Sequence, residues 1–256
     1  MLHDLPPSSG ALPATAGATA LPASAVPPAR GLYDPRFEHD SCGVSFVVHI
    51  QGVASHRIVQ TGLGALCSME HRGATGAEPD TGDGAGILLQ VPDKFLRKVA
   101  EREGRSTSAG GEADGGGIEL PARGAYAVGL AFLPADTHDA EKAKAAITRT
   151  FDEEGLQVLG WRSVPVDPSC LGASARRVMP SFEHCFVASR TGETGIALDR
   201  KLFVARKRTE HELPAELRTY FPSLSSRTLV YKGMLTTPEL GMFFTDLSDE
   251  DMESAL

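Results

Sequence analysis

The stretch E-H-D-S-C-G-V-S-F-V, residues 38–47, places a lone thiol, Cys42, at a border between two unlike segments. The residues that follow, G-V-S-F-V-V-H-I over 43–50, are rich in β-branched and aromatic side chains, and Gln51-Gly52 supplies a turn signal after them. This pattern is typical of a buried strand. The sequence therefore predicts a cysteine immediately before the first strand of the fold.

The segment before Cys42 has a composition that is unusual for a folded domain. Residues 1–31 contain eight Ala and six Pro, and only Asp4 and Arg30 are charged. Such a segment cannot bury enough apolar surface to offset the entropy lost on ordering. It lacks the basic start and apolar stretch of a secretory signal, and it has too little Arg for a mitochondrial transit peptide. We therefore predict a disordered leader over residues 1–41.

The overall composition excludes several classes of protein. A chain of 256 residues allows one domain or at most two, and no apolar run approaches the roughly 20 residues that cross a bilayer. The net charge is −8, with 25 basic and 33 acidic side chains, and Arg206-Lys207-Arg208 is the longest basic run. We expect neither a nucleic-acid partner nor a membrane association.

The four cysteines, Cys42, Cys67, Cys170 and Cys185, are isolated and form no C-x-x-C pair. Four scattered thiols match neither a disulfide scaffold nor the ligand spacing of a zinc or iron–sulfur site. We expect no metal in this chain, and a reducing cytoplasm as its location.

Periodic apolar residues alternate between helical and strand spacing along the chain. Helices are predicted over 55–72, after Pro92, from Asp136 or Thr137 to Phe151, around 171–179, and around 198–208. Strands are predicted over 87–91, 125–133, 156–164, 182–188 and 228–235, and a mobile surface insertion over 104–124. Ser248 is predicted to cap a helix that begins in the last ten residues, as if the chain ended inside a larger domain. The class is α/β or α+β.

A glycine-rich loop, T-G-D-G-A-G over residues 81–86, precedes the second strand. It precedes a strand rather than a helix and lacks the Lys-Ser/Thr of a P-loop, so a phosphate site is not expected. Its glycines are predicted to let the backbone pass close to the strand that follows Cys42, with Asp83 bonded to the turn. Arg227, Tyr231 and Lys232 fit structural roles in a strand.

Several long motifs occur in an order that resembles one known family. They are D-S-C-G-V-S-F-V, L-x-x-M-E-H-R-G-A-T-G, T-G-D-G-A-G-I-L, Y-A-V-G-L-A-F-L-P, S-L-S-S-R-T-L-V-Y-K-G-M-L and the terminal D-L-S-D-E. Together they resemble the N-terminal glutaminase domain of the glutamate synthase large subunit, a class II glutamine amidotransferase. The resemblance covers Tyr33 to Leu256. It implies an α+β fold, the four-layer αββα sandwich of N-terminal nucleophile hydrolases, incomplete at the C-terminus.

The resemblance also implies roles for individual residues. Residues 1–41 become a propeptide, and residues 42–256 the first part of the amidotransferase domain. Cys42 becomes the catalytic nucleophile, although a lone free cysteine is more often a small buried residue. Arg72 becomes a ligand for the α-carboxylate of L-glutamine, although a cation before Gly73 also suits a helix C-terminus. We expect His71 to be structural.

The chemistry needs a base beside Cys42, because an ordinary thiol is only a few per cent ionised at neutral pH. An α-amino group with a pKa near 7.7 to 8.0 can accept the thiol proton, but only once Ser41 has been removed. Glutamine would then give a γ-glutamyl thioester and ammonia for glutamate synthesis from 2-oxoglutarate. The oxyanion-hole residues of the family fall beyond Leu256, so this chain alone is expected to be inactive.

The rest of the family's enzyme lies outside this sequence. The resemblance implies FMN, an iron–sulfur cluster and NAD(P)H or ferredoxin for the complete protein, and none of them for this segment. Its partners would be a synthase region and, in one arrangement, a small electron-transfer subunit. Two alternatives remain open: an amidotransferase for another acceptor such as a phosphosugar or aspartate, and a non-catalytic binding or regulatory domain that retains the scaffold.

Overall fold

The computed structural model describes residues 31, 43–72, 78, 80–106, 117–217 and 219–256, with backbone alone at 72 and 103–106. The predicted leader lies outside the described residues apart from Gly31, and so does Cys42. From Gly43 onward the described residues belong to one unit, Cys42–Leu256.

Helices and strands interleave along the described residues, as the periodicity predicts. The helices are α1 (His56–Ser68), α2 (Asp93–Ser106), α3 (Thr137–Glu153), α4 (Ala173–Arg177), α5 (Gly195–Glu212) and α6 (Glu239–Phe243). The strands are β1 (Ala85–Gln90), β2 (Tyr126–Leu133), β3 (Leu156–Ser163), β4 (Ser181–Ser189), β5 (Leu224–Ser225) and β6 (Thr228–Gly233). Short 3₁₀ turns cover Glu70–Arg72, Pro168–Cys170, Ala215–Leu217 and Thr245–Ser248.

The strands form two antiparallel sheets. Four strands pair in the order β3-β4-β2-β5, and β2 faces β4 from Tyr126 opposite Ala188 to Leu133 opposite Ser181. The second sheet is the ladder of β1 and β6, which are paired along their whole lengths. Both sheets are antiparallel, and helices α3 and α5 pack on one face of the four-stranded sheet. The class is therefore α+β.

Side chains of β2 alternate between two apolar clusters, because successive residues of a strand point to opposite faces. Tyr126, Val128 and Leu130 lie in a cluster shared with β1, β6 and α2. Ala127, Ala131 and Leu133 lie in a second cluster with α3 and α5. Helices therefore cover one face of the four-stranded sheet and the second sheet shares the core on the other face, which is consistent with the predicted αββα sandwich.

Helix α3 begins and packs as its sequence predicts. Asp136 caps it by accepting a hydrogen bond from the Asp139 backbone N–H at 3.1 Å. Ala143, Ile147 and Phe151 follow at a spacing of four and are fully buried on one face. Burying each large apolar side chain stabilises the fold by about 1.5–3 kcal/mol, so this face anchors the helix to the sheet.

The predicted strand over residues 43–50 is wrong. These residues form no strand, and Val44, Phe46 and Ile50 are 88%, 83% and 98% exposed. A strand needs a partner for its backbone groups. Among the described residues, the one backbone hydrogen bond from this segment to a distant part of the chain runs from His49 N–H to the Ala255 carbonyl, at 2.9 Å.

The predicted helix at the end of the chain is also wrong. Ser248 ends a 3₁₀ turn instead of capping an α-helix. Two acidic residues of this segment bind a distant helix instead, because Lys98 of α2 contacts Asp249 at 2.7 Å and Asp251 at 2.6 Å. Met252 is buried, and Ser254 bridges to Ser55 in an antiparallel sense. These tertiary contacts outweigh the local helical preference.

Candidate active site

Three of the sequence motifs meet at one cavity of about 380 Å³. Its lining includes Gly43–Val47, the segment directly after Cys42. It also includes Met69, three positions before Arg72, and Gly86–Leu89, where the glycine-rich loop enters β1. The motifs are far apart in sequence, so their meeting at one cavity makes it the candidate active site.

Helix α1 supplies one wall of the cavity. Ile58, Gly62 and Leu66 follow at intervals of four and so lie on one face of the helix, and all three line the cavity. A Cβ on Gly62 would come 3.3 Å from the Ile87 Cδ1 atom, so helix and strand approach closely here. The helix ends at Ser68, and Met69 follows it into the Glu70–Arg72 turn.

Of the two predicted site residues, Cys42 lies outside the described residues. Arg72 ends the Glu70–Arg72 3₁₀ turn, and only its backbone is described. Their described neighbours, Gly43 and Met69, line the same cavity. The predicted helix cap at Gly73 also lies outside the described residues, and His71 is exposed.

The glycine-rich loop passes close to other backbone, as predicted, but the neighbour is different from the one expected. A Cβ on Gly82 would lie 2.2 Å from the Leu235 carbonyl oxygen, and one on Gly86 would lie 2.9 Å from the Lys232 Cβ. The atoms nearest to these two glycines belong to β6 and to the Leu235–Thr236 backbone that follows it, rather than to the segment after Cys42. Asp83 makes no hydrogen bond with any described residue.

Sequence reasoning missed one residue of this region, Glu78. Its carboxylate accepts hydrogen bonds from the Ser174 backbone N–H at 2.9 Å, the Ser174 hydroxyl at 3.0 Å and the Thr81 hydroxyl at 3.1 Å. The Ser174 N–H is the main cause that lowers the pKa of Glu78 below its ordinary value. Because Ser174 is 96 residues away, no local pattern points to this contact.

The turn before β6 is fixed by a second carboxylate, Asp199 of α5. It accepts hydrogen bonds from the Ser226 N–H and from Arg227 Nε, both at 2.7 Å. Burial raises the pKa of Asp199, but these hydrogen bonds outweigh it and the net pKa is lowered. Arg227 thus has the structural role that the sequence suggests, and it holds the strand that supports the glycine-rich loop.

A buried polar network joins the two sheets away from the cavity. The Arg162 guanidinium donates to both carboxylate oxygens of Asp246, at 2.6 and 2.9 Å. The Tyr231 hydroxyl lies 3.2 Å from Asp246 and 3.1 Å from His184 Nε2. Burial, helped by the Arg162 charge, holds the pKa of His184 well below its usual value. Burial and Asp246 raise the pKa of Tyr231. The network is satisfied within the core, which agrees with a structural role for Tyr231.

Among the described residues, no group of three or more His, Cys, Asp or Glu side chains is arranged to hold a metal ion. The described cysteines, Cys67, Cys170 and Cys185, are free thiols. The same part of the chain has no helix with the length and apolar character needed to cross a membrane.

Comparison with known proteins settles the family. The model for glutamine amidotransferases of class II matches residues 42–256. The chain belongs to the class II glutamine amidotransferases. The match begins at Cys42, the residue before the cavity segment. It confirms the predicted fold class, since this family has the N-terminal nucleophile hydrolase sandwich, and the antiparallel sheets and outer helices described above are consistent with it.

Individual relatives of this amidotransferase confirm the resemblance to glutamate synthases. The chain is 40% identical over 232 residues, 90% of its length, to the glutamate synthase [NADPH] large chain of Bacillus subtilis. It is 39% identical to glutamate synthase [NADH] of Schizosaccharomyces pombe over 91% of its length. It is 38% identical to ferredoxin-dependent glutamate synthase 2 of Arabidopsis thaliana over 83% of its length. The chain spans 14%, 11% and 12% of these relatives.

Proposed function

We propose that this chain carries the glutaminase function of a glutamate synthase, with Cys42 as its nucleophile. The observation that carries the proposal is the cavity at which the Cys42, Arg72 and glycine-loop motifs meet. The family match that begins at Cys42 supports the same residue. L-Glutamine is the substrate, and its side-chain amide is the reacting group.

The proposed reaction begins when the Cys42 thiol gives its proton to the α-amino group of the same residue. The thiolate attacks the side-chain amide carbon of glutamine, and a tetrahedral intermediate forms. That intermediate collapses as the ammonium returns its proton to the leaving nitrogen, which departs as ammonia. Water then attacks the γ-glutamyl thioester, glutamate leaves, and the thiol is restored. Because the amine must be free, removal of residues 1–41 precedes activity.

Substrate binding in the cavity divides between apolar and charged groups. The side chains of Ile58, Leu66 and Leu89 offer an apolar wall for the methylene groups of glutamine. They offer no charge for its α-carboxylate. Arg72 supplies that charge in our proposal, since a planar guanidinium binds a carboxylate through two parallel hydrogen bonds.

In the complete protein the released ammonia serves glutamate synthesis from 2-oxoglutarate. FMN, an iron–sulfur cluster and NAD(P)H or ferredoxin belong to that synthase region in our proposal, with a small electron-transfer subunit as a further partner. We assign no residue of this chain to them, and we place the protein in the cytoplasm. The 256-residue chain alone is expected to turn over glutamine poorly.

The test is covalent labelling with a glutamine analogue that carries a diazoketone in place of the side-chain amide. The full chain is first weighed by intact-mass spectrometry, which shows whether the Ser41–Cys42 bond has been cut. We expect a chain that begins at Cys42 to gain one adduct mapped to Cys42, with L-glutamine but not D-glutamine protecting it. A Cys42→Ala chain is the control.

An adduct spread over Cys67 and Cys170, or one that glutamine does not protect, would contradict the proposal. Retention of Met1 in a folded protein that still binds glutamine would favour a non-catalytic binding domain. Transfer of ammonia to a phosphosugar or to aspartate by the complete protein would favour the amidotransferase with another acceptor.

A further inference from the structure

We propose that Glu78 is a positioning residue for glutamine binding, which acts by fixing the Asp80–Gly86 segment against α4 and β6. The inference rests on the proposed function. Glu78 does not line the cavity itself and would act on it through the residues that follow in the chain. Glu78 lies between the Arg72 motif and the glycine-rich loop in sequence. It is therefore placed to fix how the second of these motifs reaches the cavity.

On one side the segment is held against the start of α4. The three hydrogen bonds to the Glu78 carboxylate are charge-assisted, which makes them about twice as strong as neutral ones. The Gly172 N–H also donates to the Asp80 carbonyl at 2.8 Å. A Cβ on Gly172 would lie 2.5 Å from Thr81 Oγ1 and 2.7 Å from Glu78 Oε2, so the contact leaves no room for a side chain there.

On the other side the segment is held against β6. The Gly82 backbone touches the Leu235 carbonyl, and Gly86 packs on Lys232, as described above. Four residue steps separate Gly82 from Gly86, which lines the cavity. Because the chain between them is short, a shift of the Glu78 contact moves the cavity wall.

The Glu78 contact is separate from the two apolar clusters that hold the fold together. Glu78 is only partly buried and belongs to neither cluster. Removing its charge takes no apolar side chain out of the core, so the fold should survive. The expected effect is local: the Asp80–Gly86 segment loosens, and glutamine binds less tightly.

The experiment compares Glu78→Gln, Glu78→Asp and Gly172→Ala with the unchanged protein by two measurements. Hydrogen–deuterium exchange of the full chain follows residues 80–92. Labelling by the diazoketone analogue at increasing concentration separates the binding constant KI from the rate constant kinact. The matched control is Asp136→Asn, which removes the charge of a carboxylate that also accepts a backbone hydrogen bond, at the start of α3 on the other side of the four-stranded sheet.

We expect Glu78→Gln to raise exchange of residues 80–84 about tenfold, because local opening follows the strength of the contacts that oppose it. We expect KI to rise roughly 10- to 100-fold with kinact changed less than about threefold, since a displaced wall weakens binding equally in the ground state and the transition state. Gly172→Ala should behave like Glu78→Gln. Glu78→Asp should recover part of the loss, and Asp136→Asn should change neither quantity.

Unchanged exchange in both Glu78→Gln and Gly172→Ala would overturn the inference, whatever the labelling shows. Faster exchange with an unchanged KI would also overturn it, because the contact would then be structural alone. If the unchanged protein, in the form that begins at Cys42, is not labelled at Cys42, the proposed function fails, and so does the role of Glu78 in glutamine binding. Faster exchange in that case still identifies Glu78 as a structural contact.

Discussion

The two sides of this molecule bury similar residues to very different extents. On the α3–α5 side of the four-stranded sheet, Ile147, Phe151 and Leu202 are fully buried. On the cavity side, Val44 and Phe46 follow Cys42 and are mostly exposed. Apolar packing holds the α3–α5 side and also the cluster between the two sheets. The glycine-rich loop beside the cavity is instead placed by close glycine contacts and by the Glu78 carboxylate, so the proposed chemistry lies at the edge of the packed core.

The difference between the two sides is tested most strongly by removing one phenyl ring from each side. Phe151→Ala should lower the free energy of unfolding by about 3–5 kcal/mol, because it leaves a cavity in a packed core. Phe46→Ala should change it by less than about 0.5 kcal/mol, because that ring is already exposed. Urea denaturation measures both. Equal losses would mean that Phe46 is packed in solution and that the two sides do not differ.

The buried network between the sheets should give the next largest effect. Asp246→Asn removes the buried carboxylate that accepts two hydrogen bonds from the Arg162 guanidinium, and it should cost about 3 kcal/mol of stability. The control is Asp152→Asn, which breaks an exposed pair with Arg190 and should cost less than about 1 kcal/mol. A loss at position 246 no larger than at position 152 would show that the network contributes little.

The pH dependence of protein stability tests the contribution of the buried His184. Its pKa is lowered in the folded protein by burial and by Arg162, and Tyr231 and Asp246 complete its polar surroundings. The unfolded chain takes up a proton near pH 6.5 and the folded chain does not, so stability falls as the pH drops below about 6.5.

Between pH 7 and pH 5 the loss should reach up to about 2 kcal/mol, at 1.36 kcal/mol for each pKa unit. Urea midpoints at several pH values measure it, with His184→Gln as the matched variant that cannot titrate. If the slope in this window is the same in both proteins, His184 does not cause it. Carboxylates with lowered pKa values, such as Asp199, act at lower pH.

The smallest expected effect is at the α3 cap. Asp136→Ala removes the acceptor for the Asp139 N–H and should cost about 1 kcal/mol, a common value for such caps. Thermal denaturation, monitored by circular dichroism, measures this loss of stability. A loss above about 3 kcal/mol would indicate that Asp136 has a role beyond capping.

How much was predictable from sequence differs between the two sides. Strand alternation in β2 and the four-residue spacing in α3 are local patterns, and the structure follows them. The segment after Cys42 has an equally clear strand pattern, yet it forms no strand, because pairing requires a partner that local sequence does not specify. The final ten residues form no helix for a similar reason. Their Asp249 and Asp251 carboxylates bind Lys98 of α2, a partner that the local sequence does not specify.

The candidate site shows the same division. Cys42 and Arg72 were found through motifs and their order, and both predictions stay untested by the structure because those side chains are not described. The contact between Glu78 and Ser174 joins residues 96 positions apart and has no local signature. Their meeting is decided by how α4 packs, which only a three-dimensional arrangement reveals.

The central claim, that the cavity beside Gly43 binds glutamine, is tested most directly by methyl NMR of the full chain. L-Glutamine is titrated into protein labelled at Ile and Leu methyl groups, with D-glutamine as the control. The account predicts that signals of Ile58, Leu66 and Ile87 shift in a saturable way while those of Ile147 and Leu202 stay fixed. No shift at the cavity, or equal shifts in both clusters, would contradict it.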